Sequence, residues 1–292
     1  MTSKTICVVR CFGITKNPKT NEFMMVMEYA QHGSLRQHLN NNFNSLNWTE
    51  KFFNLQRIAR GLQIIHEKGM IHCDFHCGNI LNNKGDGKLF SQITDLGLCK
   101  PVNSQSGDKQ VYGVLPYVAP EVLKGKEYTQ ASDIYGFGII AYELCTGFPP
   151  YHDIAHDEFL AIKICNGLRP KSNYKVPKLI LDNIQQCWDT DPLKRPKARE
   201  LSDLFWNLYI KSDKTNRGDY EENSTINKQI KEANEINEKL PSTVTSSSTS
   251  TLSYTTHAQA IYTSRLLNFK NLPEPKNAAD DDNTSATEYS GN

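Results

Sequence analysis

The sequence predicts an α+β chain in which a short β-hairpin precedes a mainly helical body. Three observations carry this. Two bulky, β-branched stretches, ICVVRCFGI (6–14) and EFMMVMEYA (22–30), flank the turn chemistry of NPKTN (17–21) and read as a hairpin. The stretch TEKFFNLQRIARGLQIIHEKG (49–69) has apolar residues at 52, 53, 55, 58, 59, 62, 64 and 65, which fits a long amphipathic helix ending at Gly69. From 130 onward, four further runs read as helices, near 130–147, 156–166, 177–188 and 197–210.

Between these landmarks Ser34 can cap a short helix through Leu39. NNKGDGK (82–88) is a tight turn between two short strands, NIL and KLFSQIT. IYGFGIIAYELCTG (134–147) is too short to span a bilayer and carries Glu143, so it reads as a buried helix. Its GFGIIA (136–141) matches the G-x-G-x-x-A of dinucleotide sites. That motif must open a helix after a strand. Here it lies inside a helical run, where small residues predict close helix packing.

The 292 residues leave room for one large domain or two small ones. Lysine and arginine number 33 against 32 acidic residues, a net charge of +1, so neither nucleic acid nor an anionic membrane is an expected partner. Eight cysteines at scattered positions lie mostly in apolar runs, and the first twenty residues have no signal-peptide pattern. A reducing cytoplasm, or the nucleus, is the expected compartment. Globular texture ends near 210. Residues 211–292 hold a charged run that could be helical (227–240), a serine- and threonine-rich stretch (241–256) and an acidic end (278–292), and a disordered tail is expected there. Within it, AIYTSRLLNFKNL (260–272) has clustered apolar residues that could dock.

The chemistry concentrates in MIHCDFHCGNIL (70–81), with His72, Cys73, Asp74, His76 and Cys77 in six positions. His72 with His76, and Cys73 with Cys77, have local zinc-ligand spacing, but no second pair follows at a suitable distance. Phosphoryl transfer explains more. It needs a carboxylate to orient the attacking hydroxyl and oxygen ligands for the metals on the nucleotide phosphates. His72-Cys73-Asp74 with Asn79 keeps the interval of H-R-D-x-x-x-x-N, and ITDLGL gives Asp95-Leu96-Gly97 in place of D-F-G. Ala119-Pro120-Glu121, Asp133 at the head of the apolar helix, Trp188 and Arg195 follow in order.

On these motifs residues 6–210 resemble a eukaryotic protein kinase domain from its fourth strand to its last helix, closest to the tyrosine-kinase-like group. The resemblance implies a kinase-like fold, a helical C-lobe with a remnant N-lobe hairpin. It implies ATP and Mg²⁺ as cofactors and a protein substrate or signalling partner, with serine or threonine favoured over tyrosine as acceptor. It makes Asp74 the base-like aspartate facing the acceptor and Asn79 and Asp95 the Mg²⁺ ligands. Met27 falls at the gatekeeper position, Glu28 and Ala30 offer backbone hydrogen bonds to adenine, and Leu81 floors its pocket. Glu121 and Arg195 would form a buried ion pair, and Asp133 would hold the catalytic loop from below.

The departures matter too. No G-x-G-x-x-G precedes residue 30, and no V-A-I-K-like strand lysine exists in the sequence. Cys73, His76, Val114 and Leu96 replace more usual residues. An incomplete version of an active kinase is therefore expected. A catalytically dead scaffold is the alternative, and a regulatory module built on the helical lobe is a third reading. The uncovered hairpin is expected to expose apolar surface.

Overall fold

A computed structural model describes residues 7–85, 88–102, 104, 110–215, 220–240 and 254–277. The chain opens with an antiparallel hairpin of β1 (Cys11–Lys16) and β2 (Phe23–Met27). Its turn is closed by the Asn17 amide on Glu22 O and by Asn21 at φ 62°. Every residue of both strands is exposed.

The first strand starts later than the expected residue 6, and Ile6 lies outside the described residues. Cys7 and Val9 instead join the helical body: the Val9 amide donates to Ile93 O (2.8 Å) and the Ile93 amide to Cys7 O (2.9 Å). Both side chains are buried there. Burial of these small apolar groups outcompetes extension of a solvent-exposed ribbon.

Helix α1 (Leu35–Asn42) starts at a Ser34–Gln37 capping box. Helix α2 (Trp48–Glu67) starts at an Asn47–Glu50 box, and Phe52, Leu55, Ile58, Ala59 and Leu62 are wholly buried on one stripe. Then come β3 (Met70–Ile71), the antiparallel pair β4 (Ile80–Gly85) and β5 (Lys88–Ile93), and β6 (Lys100–Pro101), which pairs with β3. Strand β7 (Val111–Gly113) and the short helix α3 (Pro120–Leu123) lead to α4 (Gln130–Thr146).

Helix α4 is the centre of the lobe. All residues from Ser132 to Thr146 are buried. A Cβ at position 136 would stand 2.8 Å from the Phe75 carbonyl oxygen, and one at 138 would stand 2.7 Å from Cys187 Cβ. The glycines of GFGIIA thus let the loop at Phe75 on one side and the helix bearing Cys187 on the other approach the α4 backbone. Helices α5 (Glu158–Cys165), α6 (Lys178–Cys187) and α7 (Ala198–Ser212) complete the lobe, with α7 along α2 and α6 along α4.

The expectation of a disordered tail does not describe the residues seen beyond 211. Thr225–Asn237 forms α8, capped by Ser224, with Ile226 and Ala233 buried against α6 and α7. The charged run hides an apolar face at Ile226, Ile230 and Ala233, which average composition does not reveal. Residues 254–277 lie along the lobe and contribute β8 (Arg265–Leu267), antiparallel to β7. The rest of the expected tail (216–219, 241–253 and 278–292) lies outside the described residues.

Candidate active site

The loop that carries His72 to Asn79 is held at its start by Asp133. Its Oδ2 accepts the His72 amide (2.8 Å) and His66 Nε2–H (2.9 Å), and its Oδ1 accepts the Cys73 amide (3.1 Å). The carboxylate sits in the first turn of α4, where the helix dipole favours negative charge. These bonds hold Cys73 at φ 68°, a left-handed conformation costly for a residue with a Cβ. Burial pushes the Cys73 thiol up to about 12, so it is a neutral packing group and supplies no cation where the usual motif has arginine.

His72 points away from solvent. Its Nε2–H donates to Thr94 O (3.0 Å) and its Nδ1 accepts the Asp74 amide (3.3 Å), which fixes the orientation of the ring. Asp74 is 5% exposed. Burial pushes its carboxyl up, but His76 and the hydroxyl of Ser264 outweigh that and hold it below its ordinary value. Ser264 Oγ donates to Asp74 Oδ2 (2.6 Å) and accepts from His76 Nε2–H (3.1 Å), while His76 Nδ1 accepts the Gly78 amide (3.1 Å). Asp74 Oδ1 is buried without a hydrogen-bond partner, 3.6 Å from His76 Nε2.

Asn79 belongs to the same cluster. Its Nδ2 donates to Asp74 O (2.9 Å) and to Asp74 Oδ2 (3.3 Å), which turns its Oδ1 away from Asp74. Asp95 is brought close by the pairing of β4 with β5, since Ile80 opposes Ile93 and the Thr94 amide donates to Asn79 O (3.0 Å). Asp95 is exposed at φ 57°, and its carboxylate accepts only a long bond (3.4 Å) from the Gly97 amide among those described. The amide oxygen of Asn79 and the loosely held Asp95 carboxylate are both hard oxygen donors, a chemistry that fits Mg²⁺. The structure thus joins Asp74 and Asn79 directly, while Asp95 follows the end of β5 next to Asn79, with no described side-chain contact to either.

Met27 ends β2 opposite Cys11, and the Glu28 amide donates to Arg10 O (2.8 Å). The chain then runs along β4: Ser34 bridges Leu81, the His32 amide reaches Asn82 O (3.2 Å), and Asn82 returns its amide to Gly33 O (2.9 Å). Glu28, Ala30 and Leu81 are half-buried beside this crossing. Met27 is 37% exposed on the uncovered ribbon.

Two further groups frame the site. Arg36, Tyr117 and Glu143 form a buried cluster, with Glu143 Oε1 3.0 Å from Arg36 Nη2 and both Arg36 and Glu143 bonded to the Tyr117 hydroxyl. Arg195 grips Glu121 through two bonds, Nη1–Oε1 at 2.7 Å and Nη2–Oε2 at 2.8 Å. Sequence reasoning missed Ser264. Its only signal was the apolar clustering of 260–272, which marks docking but not a destination.

A family model described as protein tyrosine and serine/threonine kinase matches residues 2–205. A probable serine/threonine-protein kinase of Dictyostelium discoideum is 28% identical over 215 residues, 69% of this chain and 12% of its own length. A protein kinase and PP2C-like domain-containing protein of Arabidopsis thaliana is 30% identical over 219 residues, 63% of this chain and 33% of its own. The probable serine/threonine-protein kinase roco5 of Dictyostelium discoideum is 33% identical over 184 residues, 59% of this chain and 6% of its own. The chain thus spans a third or less of these relatives.

Proposed function

Because the chain belongs to the protein tyrosine and serine/threonine kinase family, we propose that its catalytic loop serves transfer of the ATP γ-phosphoryl group to serine or threonine hydroxyls of proteins. The observation that carries this reading is the hydroxyl of Ser264 on Asp74 Oδ2, in a loop where Asn79 also bonds Asp74 and which the end of β5, just before Asp95, meets through the Thr94 amide. A buried carboxylate held below its ordinary value is ionised at neutral pH, so it can accept an acceptor's proton and aim the oxygen's lone pair. Asn79 Oδ1 and the Asp95 carboxylate would hold Mg²⁺. The backbone at Glu28 and Ala30, with Met27 behind and Leu81 beneath, would hold adenine. Bound Mg²⁺–ATP supplies the electrophilic phosphoryl group and offsets its charge. The relatives named for serine/threonine kinase activity favour that acceptor class over tyrosine.

A scaffold without catalysis is the second reading. Cys73 favours it, a neutral thiol where the usual motif has arginine, and within residues 1–292 neither a glycine-rich loop nor a strand lysine is present to position the phosphates. Positioning is most of what such a site contributes. Residues 1–292 are therefore expected to show weak Mg²⁺–ATP binding and no measurable transfer.

Phosphotransfer and nucleotide binding, measured on this chain and on the same chain behind a glycine-rich, lysine-bearing lobe of a relative, test both readings. The completed protein should phosphorylate a generic acceptor, and Asp74→Asn should cut that rate on the order of 10²–10⁴-fold with nucleotide binding largely kept. Transfer indifferent to Asp74→Asn would refute the assignment. Absence of transfer in the completed protein would favour the scaffold.

A further inference from the structure

Ser264 reaches Asp74 from 190 residues away in the sequence. It does so just after a turn at 258–259 and a bend at Thr263. Immediately after Ser264, β8 pairs with β7 in antiparallel register, Gly113 with Arg265, Tyr112 with Leu266 and Val111 with Leu267. Position 113 needs its glycine, because at φ 156° an added Cβ would lie 3.0 Å from Val118 and 3.6 Å from Asp74 Oδ1. The backbone of β7 therefore runs past the carboxylate itself. The residue just before the paired segment, Ser264, is thereby placed against Asp74.

The segment is anchored on both sides of Ser264. Two residues before it, the Tyr262 hydroxyl donates to Pro150 O (3.0 Å), and its ring lies 4.1 Å from the Arg36 guanidinium and edge-on to His156 at 4.8 Å. His156 Nδ1 lies 2.9 Å from the Ile261 carbonyl oxygen and 3.1 Å from its amide, and Nε2 lies 3.1 Å from Tyr151 O, so the ring is clamped between the two backbones. Three residues after Ser264, Leu267 is buried in the lobe core, and Leu272 is buried further on. The run ends where the Lys276 amide donates to Cys165 O (2.9 Å) and Asn277 Oδ1 accepts the Thr190 amide (2.8 Å).

Adventitious packing would satisfy the apolar residues without directing a hydroxyl to a particular carboxylate. Here three requirements of peptide recognition coincide. Strand addition supplies the backbone bonds, the lobe holds Tyr262 and Leu267 on either side, and the hydroxyl sits where the reading of Asp74 puts an acceptor. Resting on that reading, we infer that residues 260–268 occupy the acceptor-peptide groove of their own chain, with Ser264 in the place of the acceptor hydroxyl. The same contacts define what the groove takes from elsewhere: an extended peptide with a tyrosine two residues before its hydroxyl and a leucine three residues after. A protein acceptor must first displace the internal segment.

The charge at Asp74 makes this testable in the full chain. Ser264→Asp places a second carboxylate against a buried one, and like charges at that distance repel strongly. Leu267→Asp places a charge in the lobe core and acts on docking without touching Asp74. In both variants, hydrogen exchange of peptides covering 110–118 and 260–268 should speed up by about tenfold or more, with helical circular dichroism kept. A labelled synthetic peptide copying 258–270 should bind the Leu267→Asp chain. It should bind wild type on the order of 10²-fold more weakly, since the tethered copy competes at an effective ~mM concentration. The peptide carrying Ser264→Asp should bind neither chain. Unchanged exchange in both variants, or equal peptide binding to wild type and Leu267→Asp, overturns the inference.

None of these measurements needs nucleotide. Undetected docking beside Asp74-dependent transfer in the completed protein sinks the inference and leaves the kinase reading. Docking beside Asp74-independent transfer sinks the reading of Asp74, and with it the acceptor assignment of Ser264.

Discussion

Lys51 lies inside the helical lobe with 1% of its surface exposed. Its Nζ donates to Cys145 O (3.1 Å) and faces the rings of Phe43 (4.1 Å), Trp48 (4.6 Å) and Tyr174 (5.1 Å). Burial lowers its pKa from 10.5 to about 8, against the opposing pull of Cys145. Below about pH 8 the folded and unfolded chains both carry the proton, so stability there does not change with pH through this group. Between about 8 and 10.5 the unfolded chain holds a proton that the folded one has released, so stability rises with pH. Lys51→Met removes the term. The difference in unfolding free energy between wild type and variant, from urea titrations at pH 7 to 10, should shift toward wild type by up to about 1.4 kcal/mol per pH unit above 8. A flat difference would mean that the three rings keep the ammonium charged throughout. Nothing in the sequence pattern announced this residue. Lys51 falls on the helix stripe that the apolar positions of 49–69 define, where a lysine reads as a surface interruption.

At the scale of elements, the Glu121–Arg195 pair ties α3 to the start of α4 and to the turn before α7. Beyond Glu121, Arg195 donates through Nε to Asp189 O (2.8 Å) and through Nη1 to Ala131 O (2.9 Å). Arg195→Ala leaves Glu121 buried and unpaired, and should cost about 3–5 kcal/mol in chemical unfolding. An unchanged midpoint would show that Glu121 finds solvent or another partner. What the sequence disclosed about elements follows from range. The helices α2, α4, α5, α6 and α7 carry their own periodicity or apolar length, and all lie within a few residues of expectation. The contact of Asp74 with Asn79 was legible because their motif interval is short and local, whereas Asp95 comes near only through the β4–β5 pairing. Glu121 with Arg195 was legible only through the family resemblance, since no local pattern links two residues so far apart. The β7–β8 pair escaped altogether, because three-residue strands are too short to show alternation and their register is set by Asp74 and Leu267 in three dimensions.

Across the whole molecule, burial is distributed very unevenly. The helical lobe holds one core running from Leu35 through α2 and α4 to α7, and it includes Ile226 of α8 and Leu267 and Leu272 of the docked segment. The β1–β2 ribbon contributes nothing to it: Phe12, Ile14, Phe23 and Met25 are each more than 60% exposed. A two-stranded ribbon with no buried face is marginal by itself. Two classes of opening should follow in native-state hydrogen exchange. Amides in α2, α4 and α7 should exchange only through global unfolding, with a strong dependence on sub-denaturing urea. Amides paired between Cys11–Lys16 and Phe23–Met27 should exchange through local opening, with little protection and almost no urea dependence, because little surface is uncovered when they open. Ribbon protection equal to that of the helices would contradict this. If that protection also rose with protein concentration, the exposed phenylalanines and methionines would be covered by a second copy of the chain, and the apolar face would be an interface.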